Sequence, residues 1–211
     1  MHVLFDLDGT LTDPKEGFVK CVRYALAELG IELDAATSLE SCIGPPLHDT
    51  FRKLCKTDRI AEQAISLYRA RYAKTGLFEN KPYDGIHACL SQILASADSI
   101  HVVTSKPTVF STRIIEHFKM ERYFGEVFGS NLDGTLSDKT ELLGHVLERR
   151  GLLPGETVMI GDRRYDIVGA KNHGVKALGV LWGYGSEAEL TSAGADGLCA
   201  HPAEIHGHIF N

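Results

Sequence analysis

The chain has 211 residues, 44% hydrophobic and 24% charged, which suits one medium globular domain or one domain carrying an insertion. A net charge of −6, with acids and bases interleaved, leaves no basic stripe to follow a nucleic-acid polymer. No apolar run approaches the roughly 18 residues of a membrane span, and Met1-His2 leads straight into a strand and two acids, without the regions of a secretory signal.

Val3-Leu4-Phe5 reads as a short buried strand. It ends in Asp6-Leu7-Asp8-Gly9-Thr10-Leu11, where two carboxylates sit two residues apart and Gly9 permits a sharp turn. Like charges in a partly buried site repel, and carboxylate oxygens suit Mg²⁺, so a bound cation is the natural remedy; the alternative is two solvated acids in a turn. Asp13 and Pro14 then open a helix in which Phe18, Cys21, Val22, Ala25, Leu26 and Leu29 recur at i, i+3, i+4, i+7 spacing, up to Gly30. Ile43-Gly44-Pro45-Pro46 is a rigid connector, because successive prolines cannot continue a helix. Two further helices are expected over Leu47–Cys55 and Asp58–Lys74, so residues 14–81 read as all-helical.

Beyond Tyr83 the pattern alternates. Helices are expected over Ile86–Ala97, Thr108–Phe118, Asp138–Arg150 and Tyr165–His173. Between them lie apolar strands at 100–103, 126–128, 157–160 and 176–181, with a short sixth at 197–199. Strands alternating with helices argue an α/β, Rossmann-like doubly wound parallel sheet. The helical block interrupts that alternation, so residues 1–13 and 82–211 are expected to form the core and 14–81 an inserted, all-helical cap domain. Polar hinges near Thr12–Asp13 and Asn80–Pro82 would join the two. The five cysteines are odd in number and contain no CxxC pair, so they read as free thiols in a reducing cytoplasm.

In an open parallel sheet, ligands bind at the carboxyl ends of the strands. Those ends carry Asp6 and Asp8, then Thr104, Ser105 and Lys106, then Asp138 and Lys139 after the third strand, and then Gly161, Asp162 and Asp166. Acids, a hydroxyl and a lysine in one mouth are a Mg²⁺ site beside an oxyanion site, most simply a phosphoryl group. A carboxylate can attack phosphorus, and a second carboxyl can move the proton. Leu7–Leu11 recurs as Leu132-Asp133-Gly134-Thr135-Leu136, but Asn131 replaces Asp6 and no strand feeds it, so it reads as a turn without chemistry.

Asp6-Leu7-Asp8-Gly9-Thr10-Leu11, Val103-Thr104-Ser105-Lys106, Lys139, and Ile160-Gly161-Asp162-Arg163-Arg164-Tyr165-Asp166 resemble the four motifs of the haloacid dehalogenase superfamily, in order and over nearly the whole chain. The helical insertion resembles the cap of its phosphoglycolate phosphatase-like branch. The resemblance implies that Asp6 is the nucleophile, Asp8 the general acid and base, and Lys139 the catalytic lysine. It implies that Leu7, Asp8, Thr104, Ser105 and Lys139 hold the phosphoryl group, that Asp6, Asp8 (through its backbone carbonyl) and Asp162 hold Mg²⁺, and that Asp166 either ligates it through water or orients Lys139. Asp8 disfavours the dehalogenases and phosphonate hydrolases, which lack an aspartate there. One departure is Lys139 followed by Thr140-Glu141-Leu142 in place of the proline usual after this lysine. With Gly44-Pro45-Pro46-Leu47, Tyr68-Arg69-Ala70-Arg71-Tyr72 and Gly183-Tyr184-Gly185, this resembles the 5′-nucleotidase-like branch.

The expected protein is thus a cytoplasmic, Mg²⁺-dependent phosphatase of small phosphomonoesters, monomeric or weakly dimeric, working through an aspartyl-phosphate. Its expected substrate is a nucleoside 5′-monophosphate or 2-phosphoglycolate. The alternatives are a sugar phosphomutase on the same fold and a non-catalytic phosphate-binding regulator. Gly44, Pro45 and Pro46 are either a substrate-facing cap loop or only a helix breaker. Tyr68-Arg69 and Arg71-Tyr72 read as a solvated helix face, Arg163-Arg164 as facing solvent, His206 and His208 as surface residues, and His48 and His87 as incidental.

Overall fold

Val3, Leu4 and Phe5 are fully buried, and everything else is arranged about them. In the computed structural model, which describes residues 1–34 and 36–211, they lie in β1 (His2–Phe5). The chain passes through the acidic turn to β2 (Thr12–Asp13) and the helices α1 (Lys15–Glu28), α2 (Leu47–Leu54) and α3 (Asp58–Lys74), and returns at β3 (Lys81–Pro82). Then follow α4 (Ile86–Leu94), β4 (Ser99–Pro107), α5 (Thr108–His117), β5 (Glu126–Ser130), α6 (Lys139–Arg150) and β6 (Thr157–Gly161). The chain closes with α7 (Arg164–Asn172), β7 (Lys176–Val180), α8 (Glu187–Ser192), β8 (Gly197–Cys199) and α9 (Ile205–Phe210).

Six strands form one sheet in the order β5-β4-β1-β6-β7-β8, every pair parallel. Val3 pairs with Ile100 on one side and Val158 on the other. Successive side chains of a strand point to opposite faces. Val3 and Phe5 accordingly join one apolar cluster, with Ile86, Leu90 and Ile114, and Leu4 joins another, with Leu142, Val146 and Ile167. Each such side chain, fully buried, contributes about 1.5–3 kcal/mol. The chain builds outward from β1 to β4 and β5, then crosses back to β6, so the strand order reverses beside β1 and opens a crevice at its carboxyl end.

The helical lobe α1–α3 stands over that crevice. Thr57 caps α3 by accepting from the Ile60 N–H, and Asp138 caps α6 by accepting from the Glu141 N–H. The two connections between lobe and core meet: β2 and β3 form a small antiparallel pair, Thr12 opposite Pro82 and Asp13 opposite Lys81. The expected elements are present, with shifts at their ends. β4 runs on through Thr104, Ser105 and Lys106 to Pro107, because β5 keeps pairing with it as far as Ser130. Helices α8 and α9 have no counterpart in the sequence reading; at six residues each they are too short for a periodic signal. All five cysteines are free.

Candidate active site

The turn after β1 is built by its own backbone. The Leu7 carbonyl accepts from the N–H groups of Thr10, Leu11 and Thr12, and the Gly9 N–H donates to the Thr12 carbonyl at 2.8 Å. Gly9 has φ +88°, and a Cβ there would overlap the Asp162 carboxylate, so the position excludes a side chain twice over. The Leu7 side chain is wholly buried in the apolar cluster, so whatever it offers a phosphoryl group comes from its backbone.

Lys139, the first residue of α6, reaches back beneath β1. Its Nζ lies 2.8 Å from Asp6 Oδ1 and 2.8 Å from Asp166 Oδ1, and donates to the Val103 carbonyl at 2.8 Å. Burial works against the Lys139 charge, but Asp166 and Asp6 outweigh it and hold the ammonium above its ordinary range. Asp162 follows β6 and is fully buried. Burial, compounded by repulsion from Asp6 and Asp166, raises its pKa well above the ordinary value. Its Oδ2 accepts from the Tyr184 N–H at 2.7 Å, while its Oδ1 has no hydrogen-bond partner among the described residues. Asp166, one helical turn on, accepts from the Arg163 N–H at 3.1 Å, and burial raises its pKa against the pull of Lys139.

Carboxylate oxygens of Asp6, Asp162 and Asp166 all lie within 4.8 Å of one another. Three carboxylates offering hard oxygens, one of them with a buried oxygen lacking a partner among the described residues, fit Mg²⁺ in donor type and charge. Asp8 stands outside this carboxylate group. Its oxygens lie 2.7 and 2.5 Å from Lys106 Nζ, and burial raises its pKa while Lys106 opposes the rise. Lys106 also donates to the Tyr72 hydroxyl at 2.6 Å. Thr104 is buried, its Oγ1 accepting from the Lys106 N–H at 3.3 Å. The Ser105 carbonyl accepts from the Ser130 hydroxyl at 2.8 Å.

Asp6, Asp8, Thr104, Ser105, Lys139 and Asp166 share the floor of one cavity of about 990 Å³, and Asp162 lies just behind it. Gly44, Pro45 and Pro46 line its other side, with Phe18, Tyr68, Tyr72 and Phe110 forming an aromatic wall. His48 lies on the same lining, while His87 packs on Tyr123, away from it. His206 contacts Ser96 at 3.0 Å and His208 is exposed.

Three sequence expectations need correction. Tyr68 and Tyr72 are not a solvated face: both are buried, their rings stacked at 5.3 Å. Arg71 pairs with Glu79 at 2.7 Å, and Arg69 donates to the Leu132 carbonyl at 2.8 Å. The helix is wrapped on both sides, by core and lobe, so the usual rule for charged helix faces fails. Arg164 is exposed, but Arg163 is not solvent-facing. It pairs with Glu189 at 2.9 Å, donates to the Ile43 carbonyl, and packs over Gly44. The copy at 132–136 is the exposed turn expected, but a strand does feed it: β5 ends at Ser130, directly before Asn131, and the turn lines the cavity mouth. Lys106, Tyr72, Arg69 and Arg163 are thus the residues the sequence reading undervalued. Their only sequence signal was proximity to a motif or an aromatic-basic pattern on a helix.

Among described residues, no helix is long and apolar enough to cross a membrane. The family model for haloacid dehalogenase-like hydrolases matches residues 3–180. A 5′-nucleotidase of Pseudomonas aeruginosa is 43% identical over 97% of this chain and 93% of its own. The tyrosine-protein kinase PtkA of Mycobacterium tuberculosis is 36% identical over 96% of this chain and 69% of its own. The crystal structure of a predicted phosphatase from Clostridium acetobutylicum superposes with a TM-score of 0.93, at 42% identity, covering 99% of this chain and 97% of that one.

Proposed function

The chain belongs to the haloacid dehalogenase-like hydrolases and is a phosphatase; on that premise we propose that it hydrolyses nucleoside 5′-monophosphates in the cytoplasm, with Mg²⁺, through a phosphate ester of Asp6. The observation that carries the chemistry is the Asp6–Lys139–Asp166 ion cluster, 2.8 Å at each contact, on the floor of a cavity that also presents Asp8. The substrate reading rests on the cavity's aromatic wall, its volume of about 990 Å³, and the name of the Pseudomonas relative. A flat, apolar base suits stacked tyrosine and phenylalanine rings.

In this reading an Asp6 oxygen attacks phosphorus and the bond from phosphorus to the ester oxygen breaks. Asp8 gives its proton to the leaving alcohol. Water then attacks phosphorus, passing a proton back to Asp8, and inorganic phosphate leaves with Asp6 restored. Lys139 holds Asp6 in place and neutralises oxygens of the transferring group, and Thr104 and Ser105 supply neutral donors. Asp6, Asp162 and Asp166, with the Asp8 carbonyl, would hold Mg²⁺, which when bound offsets the charge between those acids and the phosphoryl oxygens. Residues 14–81 act as the cap, with Gly44-Pro45-Pro46 over the substrate, and exclude bulk water when seated.

A phosphate-release panel over nucleotides, sugar phosphates and 2-phosphoglycolate, with and without Mg²⁺, tests the reading. Preference for 2-phosphoglycolate would replace the substrate, and an isomerised sugar phosphate without free phosphate would favour a mutase. Because one relative bears the name of a tyrosine kinase, the panel includes γ-labelled ATP. Label on the protein's tyrosines in place of free phosphate would favour transfer over hydrolysis. Turnover unchanged in Asp6→Asn would sink the mechanism.

A further inference from the structure

Asp8 does not hold its own position. It sits on a turn, and its carboxylate is gripped by Lys106 Nζ at 2.7 Å. A lysine is a poor positioning device by itself, since its four-carbon stem is free to take many rotamers. Here the far side of the ammonium is fixed, because Lys106 also donates to the Tyr72 hydroxyl at 2.6 Å and lies 5.0 Å from the centre of that ring. Tyr72 belongs to α3, in the helical lobe, and its ring is clamped by stacking on Tyr68 at 5.3 Å and by the edge contact of Phe110 at 5.6 Å. Tyr72 is 2% exposed, and among the described residues Lys106 is the one hydrogen-bond partner of its hydroxyl. A rigid ring on one lobe therefore ends, through one ammonium, on a carboxylate of the other.

We infer that Tyr72 and Lys106 are positioning residues through which the seating of the helical lobe aims Asp8 at the leaving oxygen. The inference rests on the reading of Asp8 as the group that moves the proton. Lobe and core meet elsewhere too: Arg113 donates to the Ala73 carbonyl and Arg69 to the Leu132 carbonyl, Asn80 donates to the Thr12 hydroxyl, and Lys81 faces Asp13 at 3.6 Å. Of these contacts only the Tyr72–Lys106 bond ends on a side chain of the proposed machinery. With the lobe lifted, Lys106 would lose its far anchor and Asp8 its fixed direction, so protonation of the leaving group would occur only over a seated lobe.

The test compares substituted phenyl phosphates of similar shape, from 4-nitrophenyl phosphate, whose leaving group needs little help, to phenyl phosphate, whose leaving group needs a proton. The readout is the ratio of kcat/KM for the two, with Mg²⁺ present. A ratio is indifferent to the fraction of protein folded, and Tyr72→Phe removes only an oxygen from the clamped ring. The nitrophenyl-to-phenyl ratio is expected to rise about tenfold or more in Lys106→Met and several-fold in Tyr72→Phe, part of the roughly 10²–10⁴ that proton transfer contributes. Asp8→Asn is the reference and should raise the ratio at least as much. A raised ratio in Asp8→Asn with wild-type ratios in both other variants overturns the inference alone. A wild-type ratio in Asp8→Asn overturns the reading of Asp8 on which it rests.

Discussion

The sequence Leu-Asp-Gly-Thr-Leu occurs twice, at 7–11 and at 132–136, and the two copies share little beyond a turn. Gly9 and Gly134 both take positive φ, +88° and +93°. There the likeness ends. The first copy is fed by a strand buried on both sides; Leu7 and Leu11 are fully buried, and Asp8 meets a lysine 98 residues away. The second follows the last residue of an edge strand; Leu132 is 49% exposed, and Asp133 turns back on the Thr135 N–H and hydroxyl. Burial raises the pKa of Asp8, whereas the Thr135 bonds lower that of Asp133. Identical letters set the turn, and long-range contacts set the chemistry.

The comparison breaks most visibly in turnover. Asp6→Asn is expected to cost about 10⁴-fold or more and Asp8→Asn about 10²–10⁴-fold in kcat/KM. Asp133→Asn should cost no more than about twofold, as surface substitutions do. Similar losses in Asp8→Asn and Asp133→Asn would mean that the second copy is also chemical.

The glycines separate next. Gly9→Ala must adopt positive φ and push its Cβ into the Asp162 carboxylate, for a loss of about 3 kcal/mol or more in urea unfolding. Gly134→Ala meets nothing within 4 Å and bears only the backbone term, about 1–2 kcal/mol. Equal losses would show that the Gly9–Asp162 approach is unimportant.

Metal removal sharpens the contrast further. Mg²⁺ at a hundred times its dissociation constant should stabilise the wild type by about 2.7 kcal/mol, seen as a rise in Tm that a chelator reverses. Asp162→Asn should abolish that rise, and Asp133→Asn should keep it. A full rise in Asp162→Asn would place the ion elsewhere.

The smallest effect is in the pH dependence of metal-free stability. A carboxyl raised on folding contributes stability below its unfolded value of 3.8 and loses it as pH rises through the folded value, which is the case for Asp8. One lowered on folding contributes above 3.8 and loses it as pH falls through the folded value, which is the case for Asp133. Relative to wild type, as pH rises from below 3.8 towards neutral, Asp8→Asn should therefore gain stability and Asp133→Asn should lose it. Urea midpoints across that range, with a chelator present, read the two opposite slopes.

Much of this protein was legible without coordinates, for local reasons. A strand declares itself by an unbroken apolar run, a helix by its 3.6-residue period, and a turn by glycine or paired prolines. So β1, β6, α1 and α3 could be read, and the topological rule for parallel sheets then brought Asp6, Thr104, Lys139 and Asp162 to one crevice. What could not be read was any pairing across the cavity. Nothing local distinguishes Arg163, clasping Ile43 and Glu189, from Arg164 beside it in solvent. Tyr72 likewise looks like any aromatic residue on a helix until α3 lies against β4 and its hydroxyl meets Lys106.

The sequence by itself therefore determined the elements, their alternation and the chemical inventory of the crevice, because these depend on residue type and near-neighbour spacing. Tertiary structure alone decided which of two identical pentapeptides is buried beside paired charges and which is left exposed. It also decided which lysine holds which acid, since Lys139 and Lys106 find Asp6 and Asp8 133 and 98 residues away in the chain and within hydrogen-bond reach in space.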